Sequence, residues 1–330
     1  MRTLLLIILL ASAQAQVVAQ AFQTEEQFLS SLTPNGPLPE KLLATRTVVL
    51  YPPALTWKEM QSIQQSFADT GIDAIGWFDM DMLLAGADAS RSLALYLTRR
   101  NVGHLVFVQK SADGYRFLIT PFNSKPSFVD PGQSAWTAEH KELAELLKHV
   151  YRTAANSLTR QNFLINSHPE ANLAINPIVG RRSEFFAIDL KVDQLAVPKF
   201  GDEALDARLA ELFATYPFKY QLTEPGMSER ELRSKGFLYI LRFVHARGSI
   251  ARQLLGYDAN KEASEFTSVA FDGTEPITKT LPADAKVFKF YFKHIESGNV
   301  FLGTKWDADS SWDQALWNHL MAFKSELKLN

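Results

Sequence analysis

The sequence predicts an α/β (α+β) protein of two related lobes, each a mixed β-sheet packed with helices in the order β-α-β-α-β-β-α, the second lobe with extra strands. Three observations carry that expectation. Short β-branched and aromatic runs alternate with amphipathic helical stretches along the chain. The order of elements in the first half recurs in the second. The two points where a basic helix end meets a glycine and then a strand, Gly103 and Gly236, lie 133 residues apart, a small-domain length.

The first lobe is expected over 46–160. Thr47–Tyr51 reads as a strand ended by Pro52 and Pro53, and Thr56-Trp57-Lys58-Glu59 as a capping box opening a helix to about Asp69. Ile72–Phe78 is the next strand. Asp88 or Ser90 opens a helix that closes at Arg99-Arg100-Asn101, with Gly103 in the left-handed cap position. His104–Lys110 and Tyr115–Thr120 form a hairpin about Asp113-Gly114, and a long helix capped near Thr137 runs to Ser157. Residues 161–182, broken by Asn, Pro and Gly, are expected as a linker.

The second lobe, 183–330, opens with a strand at Phe185–Leu190, a helix from Asp202 to Thr215 and a strand at Phe218–Thr223. A second capping box, Ser228–Glu231, starts a helix ending at Gly236. Phe237–Phe243 is apolar on both faces and so belongs in the middle of a sheet, turning at Gly248 into Ile250–Leu255. The insertion 256–285 is expected to hold one strand near Phe266–Phe271. In Val287–Lys293, Phe288, Phe290 and Phe292 alternate with Lys289, Tyr291 and Lys293, which predicts one dry and one wet face. After a turn at Ser297–Asn299 and a short strand from Val300, a helix over Ser310–Lys328 closes the chain.

The amino terminus carries an address. Arg2 supplies positive charge, Leu4–Ala11 is an apolar run, and Ala11-Ser12-Ala13 and Ala13-Gln14-Ala15 are small-x-small triplets. That order predicts a secretory signal peptide over 1–15, cut after Ala15 or alternatively Ala13 or Ala21, followed by a polar lead-in over 16–45. Polar Ser12, Gln14 and Gln16 arrive well before the roughly 20 apolar residues a membrane span requires. A periplasmic or secreted protein with no membrane span in the mature chain is expected.

Composition restricts the chemistry. The chain has 330 residues, 46% hydrophobic and 21% charged, which excludes collagen-like and disordered classes and allows a substantial core. Lys plus Arg is 34 against 36 for Asp plus Glu, and the resulting net charge of −2 offers no field for a nucleic-acid partner. With no cysteine, disulfides, thiolate catalysis, iron–sulfur ligation and lipoprotein-type lipid attachment are excluded. No Gly-x-Ser-x-Gly elbow, phosphate-binding glycine loop or His-Glu-x-x-His occurs, and no two of the seven histidines stand four residues apart.

Three constellations remain. Asp79 and Asp81, with Asp88 nearby, are paired carboxylates for acid–base or glycosidic chemistry, or else ordinary helix-start acids. Arg242, His245 and Arg247 would bind an anion if their strand end opens to a cleft; otherwise Arg242 pairs with an acid and the other two are hairpin residues. Asp307, Asp309 and Asp313 would hold a hard cation, or mark a helix start capped by Ser310 with Asp313 complementing the dipole. Trp306, Trp312 and Trp317 offer a sugar or protein contact, or core packing.

The order of elements resembles the small α/β domains of bacterial envelope-assembly and translocation proteins. That likeness is topological and assigns no site. The expectation is an exported soluble protein without cofactor, a non-enzymatic binding or envelope-associated module whose partner is an envelope protein or small ligand. Two alternatives stand beside it: an exported hydrolase using carboxylate residues, and a structural protein that self-associates through an open sheet edge.

Overall fold

Alternating apolar strands and capped helices assemble into two sheets. The computed structural model describes residues 23–171, 173, 175–257 and 263–329, and the expected signal peptide lies outside them. The chain divides into an amino-terminal unit, Thr24–Leu83 with Ser90–Ile175, and a carboxy-terminal unit, Asn176–Asn330 with the short segment Leu84–Ala89. Each unit is built on a mixed six-stranded sheet. Among the described residues, no helix is long and apolar enough to cross a membrane.

In the amino-terminal unit, α1 (Glu25–Ser30) precedes β1 (Arg46–Tyr51), α2 (Trp57–Thr70), β2 (Asp73–Asp79), α3 (Met80–Leu84) and α4 (Ala87–Arg99). Then follow β3 (Val102–Ser111), β4 (Gly114–Pro121), β5 (Trp136–His140), α5 (Leu143–Ser157) and β6 (Glu170–Ala171). The strand order is β5-β4-β3-β1-β2-β6, with β1 parallel to both β2 and β3 and the β3–β4 hairpin antiparallel. The Thr56–Glu59 capping box forms as expected. Three local expectations are corrected. Asn101 (φ 55), not Gly103, takes the left-handed position after α4; Gly103 is needed for closeness, because a Cβ there would lie 2.6 Å from the Thr45 hydroxyl. Thr137 is not a helix cap: Trp136–His140 pairs with β4, and α5 starts at Leu143 without a side-chain cap. The segment expected as a linker contributes β6 here and β7 below.

The carboxy-terminal unit comprises β7 (Arg182–Ser183), a 3-10 turn at Ile188–Lys191, β8 (Leu195–Pro198), α6 (Glu203–Phe213), β9 (Tyr220–Thr223) and α7 (Glu229–Ser234). It continues with β10 (Tyr239–Arg247), α8 (Gly248–Leu254), β11 (Glu265–Asp272), β12 (Glu275–Pro282), β13 (Lys286–His294), β14 (Val300–Phe301) and α9 (Trp312–Glu326). The sheet runs β7-β14-β13-β10-β8-β9, while β11 and β12 form a separate hairpin. Phe185–Leu190 is therefore not a strand. Its buried residues Phe186, Ala187 and Leu190 are spaced as in a turn, and the parallel strand forms at Leu195 instead. The chain after Gly248 is helical rather than a hairpin arm, and the insertion makes two strands rather than one. β10 is central, between β13 and β8, as its two apolar faces required.

The sheets share an inner arrangement. β4-β3-β1-β2 and β13-β10-β8-β9 have the same order and the same directions: antiparallel, then parallel, then parallel.

Glu59 fastens α2 to its sheet. Its carboxylate accepts from the Thr56 N–H (2.7 Å), from Lys110 Nζ (2.9 Å) and from the Tyr115 hydroxyl. Partial burial works to raise the Glu59 pKa, but the bonds from Tyr115, Lys110 and Thr56 outweigh it and bring it from 4.5 to about 2. The folded state thus holds this carboxylate ionised at pH values where the unfolded chain protonates it. Its contribution is complete above pH 4.5 and disappears as the pH falls towards 2. Glu59→Gln should lower urea-unfolding stability at neutral pH and flatten acid destabilisation over that window.

Candidate functional site

A strand in the middle of a sheet has two covered faces, and this decides the fate of β13. The face expected to be wet is buried: Lys289 is 0% exposed, Tyr291 1% and Lys293 5%. In the β10–β13 register Tyr291 opposes Arg242, so β13 and β10 present this polar row on one side of the sheet. Phe288, Phe290 and Phe292 occupy the other side, in the main core with α6 and α9. The expectation of a solvated face fails because Leu84–Ala89, α8 and the chain near Leu302–Ala308 pack over it.

An ammonium group cannot be buried alone, and each lysine has an aspartate brought to it from another stretch of the chain. Lys293 Nζ donates to Asp88 (2.9 Å) and to Glu229 (3.0 Å), and the Tyr291 hydroxyl donates to the second Asp88 oxygen at 2.9 Å. Arg242 joins them, 2.8 Å from Glu229 and 3.8 Å from Asp88. Burial works to lower the Arg242 pKa, but Asp88 and Glu229 outweigh it and raise it; burial and Asp88 together hold the Tyr291 phenol well above its ordinary value. Asp88 arrives on a strap lying along β10. The His245 N–H donates to Ala85 O (3.0 Å), and a Cβ on Gly86 (φ 118) would sit 2.6 Å from the Phe243 carbonyl oxygen. Glycine is required at that point.

The second cluster is wholly enclosed. Lys289 Nζ lies 2.7 Å from Asp307 Oδ1 and donates to Leu302 O at 2.7 Å. His319 Nδ1–H donates to the other Asp307 oxygen at 3.0 Å, leaving its Nε2 buried without a partner among the described residues. All three side chains are 0% exposed. Burial pulls the Lys289 pKa down, partly opposed by Asp307; it pulls His319 down too, reinforced by the lysine charge. Burial would raise Asp307, but Lys289 and His319 outweigh it and keep its carboxylate ionised. Asn318 extends the cluster, donating to Asp307 O (3.3 Å) and accepting from the Phe271 N–H (3.0 Å), so that α9 and β11 are tied to the same point.

The residues singled out from the sequence are distributed as follows. Asp79 and Asp81 are both buried at the carboxyl end of β2, and Asp79 Oδ1 accepts the Asp81 N–H at 2.9 Å, as a helix-start acid does. Arg242 is in the first cluster. His245 stacks on Phe288 with ring centres 3.9 Å apart, and Arg247 ends β10. Strand periodicity puts Arg242 on the opposite face from His245 and Arg247, so the three do not converge. Asp307 is in the second cluster, Asp309 pairs with Lys279 (2.7 Å), and Asp313 lies 3.4 Å from Arg208. Among the described residues, no group of three or more His, Asp or Glu is placed to hold a metal ion. Ser311, not Ser310, occupies the N-cap of α9, and its hydroxyl donates to Asp313 instead of accepting a backbone N–H. Trp306, Trp312 and Trp317 pack in or against the cores.

Sequence reasoning missed Lys289, Lys293, Glu229 and His319. The available signal was a Lys-Tyr-Lys row on a strand long enough, and aromatic enough, to lie inside a sheet. Compared with known proteins, the chain matches no family model and no curated protein.

Removing one member of a buried pair leaves an uncompensated charge, so Asp307→Asn should cost about 3–5 kcal/mol in denaturant unfolding. Lys289→Met combined with Asp307→Leu should cost clearly less than the two single changes summed. The unfolded chain protonates His319 near 6.5 while the folded state resists, so stability should fall as the pH drops below 6.5. His319→Gln should remove that component of the slope.

Proposed function

We propose that the protein is an exported, non-enzymatic binding or envelope-associated module. The observation that carries this reading is how the acids and cations of the carboxy-terminal unit are used. Asp307 is held by Lys289 and His319, Asp309 by Lys279, Asp313 by Arg208, and Arg242 by Glu229 and Asp88. A general acid or nucleophile needs access to substrate and a tunable proton. A carboxylate locked in a dry ion pair, as Asp307 is, has neither. Export is supported by the order of Arg2, the Leu4–Ala11 run and the small residues to Ala15. The matching inner strand order of the two sheets supports an origin by internal duplication.

Two measurements test this. Purified protein should turn over no glycan, ester or phosphate substrate above background, and activity lost in Asp79→Asn or Asp81→Asn would establish the hydrolase instead. Amino-terminal sequencing of protein from the extracytoplasmic fraction should begin just after Ala15; recovery only in the cytoplasm with Arg2 intact would refute export.

A further inference from the structure

The stretch joining α5 to β6 carries two adjacent apolar side chains almost wholly in water, Phe163 at 83% and Leu164 at 92% exposed. Single exposed apolar residues are common on protein surfaces, but two together at a fixed tip are not explained by that background. The tip is held from both sides. On one, the Asn162 N–H donates to Leu43 O (2.8 Å) and its side-chain amide donates to Gly71 O (3.1 Å). On the other, the Asn166 N–H donates to the buried Asp73 carboxylate (2.9 Å), and Gln64 donates to Asn166 O (3.1 Å). The chain between the two asparagines is thus presented outward by its own anchors.

The stretch of chain that carries the tip is itself free of acids. From Leu146 to Pro169 there is no Asp or Glu, while Arg152 and Arg160 are cationic and Lys148 is paired with Glu145. The flanking acids are already neutralised, Glu145 by Lys148 and Glu170 by Arg100. Exposed Arg160 gives its Nε–H to the Asn162 carbonyl and has no acidic partner among the described residues. A protruding apolar pair within a basic stretch matches an anionic bilayer, which offers hydrocarbon behind a negative surface.

We propose that Phe163 and Leu164 form a wedge that seats the amino-terminal unit on an anionic phospholipid surface, with Arg160 at the headgroups. This deepens, and rests on, the reading of the protein as an envelope-associated binder. In cosedimentation, the protein should bind vesicles of phosphatidylglycerol and phosphatidylethanolamine at least about tenfold more tightly than pure phosphatidylcholine, and less tightly at high salt. Phe163→Ser with Leu164→Ser should weaken binding at least about tenfold with an unchanged thermal melt, as expected for side chains that touch little in the fold. Phe163→Trp should show an emission blue shift on adding the anionic vesicles. Wild-type binding by the double variant, equal binding to phosphatidylcholine, no binding at all, or no blue shift would each overturn the wedge. None of those results would supply turnover, the finding that overturns the non-enzymatic reading, so the two failures remain distinguishable.

Discussion

Two lysines on one face of β13 must be buried, and much of the carboxy-terminal unit is arranged to satisfy them. Lys289 requires Asp307, which requires the chain after β14 to pass over the sheet and α9 to bring His319. Lys293 requires Asp88 and Glu229, which recruits a strap from far earlier in the chain and the start of α7. Replacing such pairs by apolar residues often costs nothing, so their presence is weak evidence of stability. Their structural consequence here is register. A slip of one residue would turn Lys289 and Lys293 into the aromatic core and drive Phe288, Phe290 and Phe292 against Asp88 and Asp307, an error penalised on both faces at once.

This constraint also explains which parts of the architecture were legible in the sequence. Where local chemistry decides, the reading held. The Thr56–Glu59 and Ser228–Glu231 capping boxes form, and the Asp113-Gly114 hairpin and the central position of β10 follow from turn residues and apolar patterning. Where tertiary pairing decides, it did not. Trp136–His140 becomes a strand because β4 offers an edge, and Phe185–Leu190 yields to Leu195 because the parallel pairing with β10 is available there. Neither edge is written in the segment itself.

The site residues follow the same division. That Asp313 stands in the first turn of a helix was readable from its neighbours. That Arg242 faces away from His245 and Arg247 was readable in principle from strand periodicity alone. What spacing could not supply was the convergence of Asp88, Glu229, Arg242 and Lys293, contributed by four separate stretches of chain. Nor could it supply the meeting of residues 289, 307 and 319. Clusters assembled by topology leave no motif, and composition, with its near balance of acids and bases, conceals them.

Interior and surface are connected by the same rule: a group that cannot be satisfied where it stands needs a partner. Inside, the cations of the polar row have acidic partners. Outside, the chain exposes apolar side chains in two kinds of electrostatic surroundings. Phe185, Ile188 and Val192, each about two-thirds exposed, alternate with Glu184, Asp189, Lys191 and Asp193, a mixed and mainly acidic neighbourhood that a negative surface would repel. Phe163 and Leu164 stand in a stretch from which acids are absent over more than twenty residues, on a base fastened by Asn162 and Asn166. Hydrophobicity alone does not separate the two surfaces. Charge does, and it makes the pinned tip better suited than the Phe185–Val192 stretch to a bilayer whose headgroups are anionic.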